Sequence, residues 1–215
     1  DATPPVVEVA SPPSEARIFS PNGDGNKDTL EIAQSGSVER AWNAQIVNAT
    51  GRTVRTFTLE ETAPRDLVWD GRGDDGAVQP DGVYRYRISA TDRAGNAASD
   101  QLANIIVSTE ATPVALNISS QEFSPNGDGR LDALTIRPDV PNAVGITSWS
   151  INVRTLDGQV IRTFDDLASI PAPVVFDGRT DGGEVAAEGD YFAELEVVYR
   201  NGNRPSAQSA VFTVD

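Results

Sequence analysis

The chain has 215 residues, 39% of them hydrophobic and 7% aromatic, which suits two domains of about 100 residues with modest cores and excludes a disordered chain. It contains no Cys, His or Met, so disulfides, thiol nucleophiles, zinc and iron–sulfur sites and the commonest general base are all excluded. With 32 acidic residues against 17 basic ones, the net charge of −15 excludes a phosphate-neutralising nucleic-acid face and docking on an anionic membrane.

Read in order, Asp1-Ala2-Thr3-Pro4-Pro5 is expected to be an extended lead-in and not a leader peptide, and the sequence is expected to be a mature or excised piece of a longer protein. A first strand is predicted around Val6–Val9, broken by Ser11-Pro12-Pro13-Ser14. Ile18-Phe19 then runs into Ser20-Pro21-Asn22-Gly23-Asp24-Gly25-Asn26-Lys27-Asp28, a turn with an amide or carboxylate at every second residue, and a strand follows near Thr29–Ala33. Ala41–Val47 alternates Trp42, Ala44 and Ile46 with Asn43 and Gln45, the period of a half-buried strand. Ala49-Thr50-Gly51-Arg52 turns into a strand at Val54–Leu59, and Leu67–Trp69 leads into the loop Asp70-Gly71-Arg72-Gly73-Asp74-Asp75-Gly76. Asp81-Gly82 opens the longest alternating strand, with Tyr84, Tyr86, Ile88 and Ala90 on one face, and Leu102–Val107 follows the turn Asp92–Asn96. No segment has a helical period over a useful length, and no apolar run approaches the length of a membrane span.

The second half repeats this plan. Phe123-Ser124-Pro125-Asn126-Gly127-Asp128-Gly129-Arg130-Leu131-Asp132 copies the first turn at an offset of 104. Beyond it the offset is 107: Trp42 matches Trp149, Arg55-Thr56-Phe57 matches Arg162-Thr163-Phe164, Trp69-Asp70-Gly71-Arg72 matches Phe176-Asp177-Gly178-Arg179, and Tyr84 matches Tyr191. The three residues gained lie around Asp139–Gly145. About seven short strands per repeat with Gly, Pro and Asp turns predict an all-β chain of two tandem immunoglobulin-like β-sandwiches, residues 1–110 and 111–215. Counted from the sequence, the halves carry 10 − 17 = −7 and 7 − 15 = −8 charges, so the acidity is no tail.

The series Phe-Ser-Pro-Asn-Gly-Asp-Gly, Arg-Thr-Phe, Trp-Asp-Gly-Arg, Asp-Gly-Val-Tyr and Asp-Arg-Ala-Gly-Asn resembles the Ig-like domain of the flagellar hook-capping protein. Its first motif also resembles the C-terminal sorting domains of gliding-motility-associated adhesins. The resemblance covers each repeat nearly end to end and implies the sandwich fold and an extracytoplasmic home, on the bacterial surface, secreted or periplasmic. It does not imply hook assembly, because the tandem is unlike a single capping domain and Phe176 and Tyr199 depart from the motif at the places of Trp69 and Asp92.

Two readings of the turns stay open. Asn22, Asp24, Asn26 and Asp28, and in the second copy Asn126, Asp128, Arg130 (through its carbonyl) and Asp132, place oxygen donors at every second position, as half of a calcium loop does. Helpers would come from Asp70, Asp74, Asp75 and Asp81, or from Asp177, Asp181 and Glu188. Lys27 and Ala33 stand where an EF-hand has its Gly and bidentate Glu, so the loop is no EF-hand. The alternative is a backbone corner capped by its own side chains.

Arg72-Gly73-Asp74 spells an integrin-type tripeptide but is absent from the second copy, where Arg179-Thr180-Asp181 stands. A Ser nucleophile has no His partner, and a glycosidase-type carboxylate pair has no predicted cleft. The expectation is a non-catalytic spacer or display module of an exported bacterial protein, joined by a stiff linker near Pro113, whose partners are other domains of its parent or a surface assembly. The alternatives are a recognition module binding glycan or protein through its loops, and a secretion-sorting domain.

Overall fold

A computed structural model describes residues 3–167 and 169–215. The chain forms two compact units, Asp1–Glu110 and Ala111–Asp215. In the first, the strands are β1 (Val7–Val9), β2 (Ile18–Phe19), β3 (Leu30–Ile32), β4 (Gln34–Gly36), β5 (Glu39–Asn48), β6 (Thr53–Thr62), β7 (Leu67–Trp69), β8 (Gly82–Thr91) and β9 (Ala97–Val107). A single 3₁₀ turn, Ser14–Arg17, joins β1 to β2. In the second they are β10 (Ala115–Ile118), β11 (Glu122–Phe123), β12 (Leu134–Asp139), β13 (Ile146–Thr155), β14 (Val160–Leu167), β15 (Val174–Phe176), β16 (Gly189–Tyr199), β17 (Ser206–Gln208) and β18 (Phe212–Val214).

The larger sheet of the first unit runs β2-β9-β8-β5-β6, antiparallel except that β2 lies parallel to β9. The second repeats it as β11-β18-β16-β13-β14, with β11 parallel to β18 and β17 also on β16. Opposite lie the pairs β1-β4 and β3-β7 in the first unit and the continuous sheet β10-β12-β15 in the second. This is the two-sheet immunoglobulin-like sandwich, and the period-two pattern explains it. Along β8 Tyr84, Tyr86, Ile88 and Ala90 are buried while the residues between them are exposed, so only one face can meet the opposing sheet.

Each core draws on both sheets. Leu30, Ile32 and Trp69 from one sheet meet Trp42, Ala44, Ile46, Tyr86 and Ile88 from the other. Leu134, Ile136 and Phe176 likewise meet Trp149, Ile151, Val153 and Leu195. Burying each large side chain is worth about 1.5–3 kcal/mol. Trp42 and Tyr84 and their repeat counterparts Trp149 and Tyr191 are all buried.

The centres of the two cores are filled differently. In the first, Trp69 packs edge-on against Phe19 and Tyr84, ring centres 5.3 and 5.2 Å apart, and its Nε1 donates to the Arg72 carbonyl at 3.0 Å. Ile105, paired with Tyr84 across β8 and β9, completes the site. In the second, Phe176 is the smaller ring, and the residue paired with Tyr191 is the larger Phe212, 6.2 Å from Phe176. Volume lost on one strand is restored on another.

The inserted residues are coupled to a second departure. Tyr199, at the place of Asp92, donates its hydroxyl to the Asn142 carbonyl at 2.6 Å, and the Arg200 N–H bonds the Gly145 carbonyl at 2.7 Å. The added loop therefore supplies the acceptors that the new tyrosine corner needs.

Candidate functional site

The two Asn/Gly turns are built alike. Gly23 and Gly25 have φ of 82° and 85°, and Lys27 has 50°; Gly127, Gly129 and Leu131 have 81°, 84° and 52°. Residues with positive φ alternating with ordinary ones turn successive N–H groups toward one point, a concavity that suits an anion. The chain fills it with its own carboxylate. Asp28 accepts the Gly23 N–H on Oδ1 and the Gly25 N–H on Oδ2, both at 2.7 Å, and Asp132 does the same for Gly127 and Gly129.

The other predicted ligands are similarly engaged. Asn22 Oδ1 accepts from the Asp24 N–H at 3.0 Å and Asp24 Oδ1 from the Asn26 N–H at 2.7 Å. Asn126 Oδ1 accepts from Asp128 N–H, and Asp128 Oδ1 from Arg130 N–H. Ser20 and Ser124 close the loops by donating backbone N–H groups to the Lys27 and Leu131 carbonyls. Backbone donors converge on the Asp28 and Asp132 carboxylates, the pattern of a self-capped corner. Among the described residues, no group of three or more acidic side chains is placed to hold a metal ion.

The helper carboxylates go elsewhere. Asp70 and Asp177 cap the Arg72 and Arg179 N–H groups in their own loops, and Asp75 caps Ala77. Asp74 docks the loop on the edge of β6: its N–H bonds the Val54 carbonyl at 2.9 Å and its Oδ1 accepts the Thr56 N–H at 3.0 Å. Asp181 repeats this on β14 with Ile161 and Thr163. Arg55 and Arg162 donate Nη1 to the carbonyls of Gly73 and Thr180 and lie over the rings of Phe57 and Phe164. Their ion pairs with Asp74 and Asp181, at 3.9 and 3.7 Å and half in water, contribute less than these backbone bonds. The Arg-Thr-Phe motif is the landing place of the Asp-Gly-Arg loop.

The same loop carries the Asn/Gly turn. Pro21 sits on Gly71 so closely that a Cβ there would lie 2.5 Å from the proline Cγ; at Gly178 the distance to Pro125 is 2.6 Å. Glycine is required twice over, because φ is also positive, at 72° and 75°. The Arg72-Gly73-Asp74 tripeptide is thus internal bracing: the Arg72 Nη1 is held by the Gly76 carbonyl and the Asp74 carboxylate by β6.

Asp81, named from sequence only as a metal helper, clamps the end of the first unit instead. It accepts from the Thr109 N–H and hydroxyl, at 2.8 and 2.7 Å, and from the Glu110 N–H at 3.1 Å. Its position just before a Gly and a long strand was the only sequence signal. Sequence reasoning also missed Gln34, buried in β4, which accepts the Tyr86 hydroxyl at 2.6 Å and donates to the Arg65 carbonyl.

The shifted aspartates are all pushed down: Asp92 by the Asn96 side-chain amide and nearby backbone N–H groups, Asp157 by the Thr155 hydroxyl, and Asp166 by the Ser169 hydroxyl and the Leu167 N–H. A general acid needs the opposite shift. A cleft of about 540 Å³ in the first unit is lined by Asn48, Thr50, Asp74, Asp75 and Asp81, whose carboxylates hold backbone donors.

Residues 17–94, within the first unit, match the FlgD Ig-like domain family. The resemblance to gliding-motility-associated C-terminal domains stands on the Ser-Pro-Asn-Gly-Asp-Gly motif alone. A C5a peptidase of Streptococcus pyogenes is 28% identical over 113 residues, which are 44% of this chain and 10% of that protein. Among solved structures, fibronectin(III)-like modules of Clostridium thermocellum CbhA align over 97% of this chain and 95% of theirs, at 14% identity and a TM-score of 0.43. A Ca²⁺-stabilized adhesin that helps an Antarctic bacterium reach out and bind ice aligns over 100% of this chain and 50% of its own, at 15% identity and a TM-score of 0.49. Neither adds to what the strand order already establishes. Among the described residues no helix is long and apolar enough to cross a membrane.

Proposed function

We propose that this chain is a non-catalytic structural segment, a spacer or display module of an exported bacterial protein at the cell surface or in the periplasm. One observation carries the reading: in both units the motif side chains that sequence offers as functional groups are spent on holding their own backbone. The Asn/Gly turn, the Asp-Gly-Arg loop and the edge strand form one braced assembly, made twice. The family match of the first unit and the short match to a segment of a much longer bacterial protein support a role as one domain among several. Its partners are then the neighbouring domains of its parent. A glycan-binding module would need an exposed ring to stack on, whereas Trp42, Trp69, Trp149, Tyr84 and Tyr191 are buried, which favours spacing over sugar recognition.

The Asp81 clamp on Thr109 and Glu110 fits this role, because a spacer must control how the chain leaves a domain. The absence of Cys allows spin labels to be placed at one introduced cysteine in each unit. A spacer gives a narrow distance distribution that Asp81→Ala broadens. A distribution already broad in the unaltered chain sinks the reading.

The reading does not require calcium, and the two turns are where that is tested. Each carboxylate oxygen keeps a second lone pair after accepting an N–H, so an ion is admissible beside the N–H cradle and not inside it. Bound at about 100 times its dissociation constant, calcium would add roughly 2.7 kcal/mol, and each kcal/mol moves the Tm of such a domain by about 4–8 °C. The bonding of Asp28 and Asp132 leads us to expect the same Tm in EDTA and in millimolar calcium. A rise abolished by Asp24→Ala and Asp128→Ala would instead establish the metal.

A further inference from the structure

Both turns contain Asn-Gly, the pair most prone to spontaneous deamidation because glycine offers the least hindered backbone nitrogen. That nitrogen attacks the asparagine Cγ, ammonia leaves, and water opens the resulting succinimide to aspartate or isoaspartate. Both turns are exposed, at Asn22-Gly23 and Asn126-Gly127. Glycine's lack of a side chain makes the reaction easy, and the positive φ of 82° and 81° at Gly23 and Gly127 favours glycine there.

We propose that Asp28 and Asp132 guard these asparagines against deamidation. The nitrogen that would attack is the one whose hydrogen each carboxylate holds at 2.7 Å. To attack, it must lose that proton, and a carboxylate alongside opposes the growing negative charge while being far too weak a base to take the proton itself. The same carboxylate also accepts the N–H of the next glycine, two residues on, at 2.7 Å, which restrains the segment. The electrophile is held as well: Asn22 Oδ1 and Asn126 Oδ1 accept from the Asp24 and Asp128 N–H groups, which keeps each amide from rotating onto the nitrogen. The third Asn-Gly pair, Asn201-Gly202, is held differently, its glycine N–H bonded to the Tyr199 carbonyl at 2.9 Å, and serves as an internal reference without a carboxylate guard.

The test is peptide mapping by mass spectrometry after incubation of the full chain in mildly alkaline buffer, with Asp28→Asn and Asp132→Asn compared with the unaltered protein. Native Asn22 and Asn126 are expected to convert far more slowly than in the same chain unfolded in urea. D28N should speed conversion at Asn22 roughly tenfold or more, the size of losing one hydrogen bond to a charged group, and leave Asn126 and Asn201 unchanged. D132N should do the reverse. Circular dichroism at the incubation temperature reports the folded fraction. Equal rates in native and urea-unfolded wild type would overturn the proposal, and that comparison needs no variant. So would slower conversion in D28N, which would make Asp28 a base, or a rate at Asn22 explained by the unfolded fraction alone.

Discussion

The two units share a backbone plan and a set of braces, yet their cores are solved differently. Trp69 with Ile105 in the first becomes Phe176 with Phe212 in the second, and the buried Gln34–Tyr86 bond becomes Pro138 and Ala193 at the corresponding positions. The braces, by contrast, are reproduced bond for bond: Asp28 and Asp132, Asp74 and Asp181, Pro21 on Gly71 and Pro125 on Gly178. Hydrogen bonds and positive φ have one geometric answer, whereas an apolar volume can be filled in several ways.

Exchanging the cores is the strongest way to break that comparison. Trp69→Phe should destabilise the first unit by about 2–3 kcal/mol through a cavity and a lost Nε1–H bond to Arg72. Adding Ile105→Phe should recover a good part of it. A double-mutant cycle on urea unfolding measures the coupling, and additivity between the two changes would show that the pairs do not compensate. Next, Tyr86→Phe should cost about 1–2 kcal/mol by stranding the buried Gln34 carbonyl oxygen, with loss confined to hydrogen exchange in the first unit. Asp74→Ala and Asp181→Ala sharpen the other side. Each should cost about 1 kcal/mol and by equal amounts, read as faster exchange at Thr56 and Thr163; unequal costs would mean that the braces are not equivalent.

The smallest effect concerns acid. Asp92 lies below the ordinary aspartate value of 3.8 because the Asn96 amide and the turn's N–H groups favour its charged form. A depressed folded value gives a contribution that is present above the unfolded value and lost as pH falls through the folded one. Below pH 3.8 the 92–96 turn should therefore exchange faster, while Tyr199, its counterpart, holds the Asn142 carbonyl unchanged. Amide exchange across that pH range distinguishes the two corners.

Much of the fold was legible because a strand buried on one face must alternate. Trp42/Ala44/Ile46 and Tyr84/Tyr86/Ile88/Ala90 announced their own faces, and the repeat placed each strand twice. The turns were only half legible. Oxygen atoms at every second residue suggest a cation, but the positive φ of Gly23, Gly25 and Lys27 aims N–H groups inward, and the sixth residue after Asn22, Asp28, supplies the anion. Side-chain spacing does not report which backbone group points where. Asp81's hold on Thr109 and the trade of Trp69 and Ile105 for Phe176 and Phe212 join residues about 28 to 36 positions apart, contacts that only the register of the sheets creates.

The divergence of the two cores has a consequence for folding. Neighbouring domains of similar sequence meet at very high local concentration while still unfolded, and exchange of equivalent strands is their characteristic error. Here the error is self-limiting. β9 placed into the second unit would bring Ile105 beside Phe176 and leave a hole, and β18 placed into the first would drive Phe212 against Trp69. Each strand thus carries a size check that admits it only to its own sandwich, so the two domains can mature side by side without trading parts.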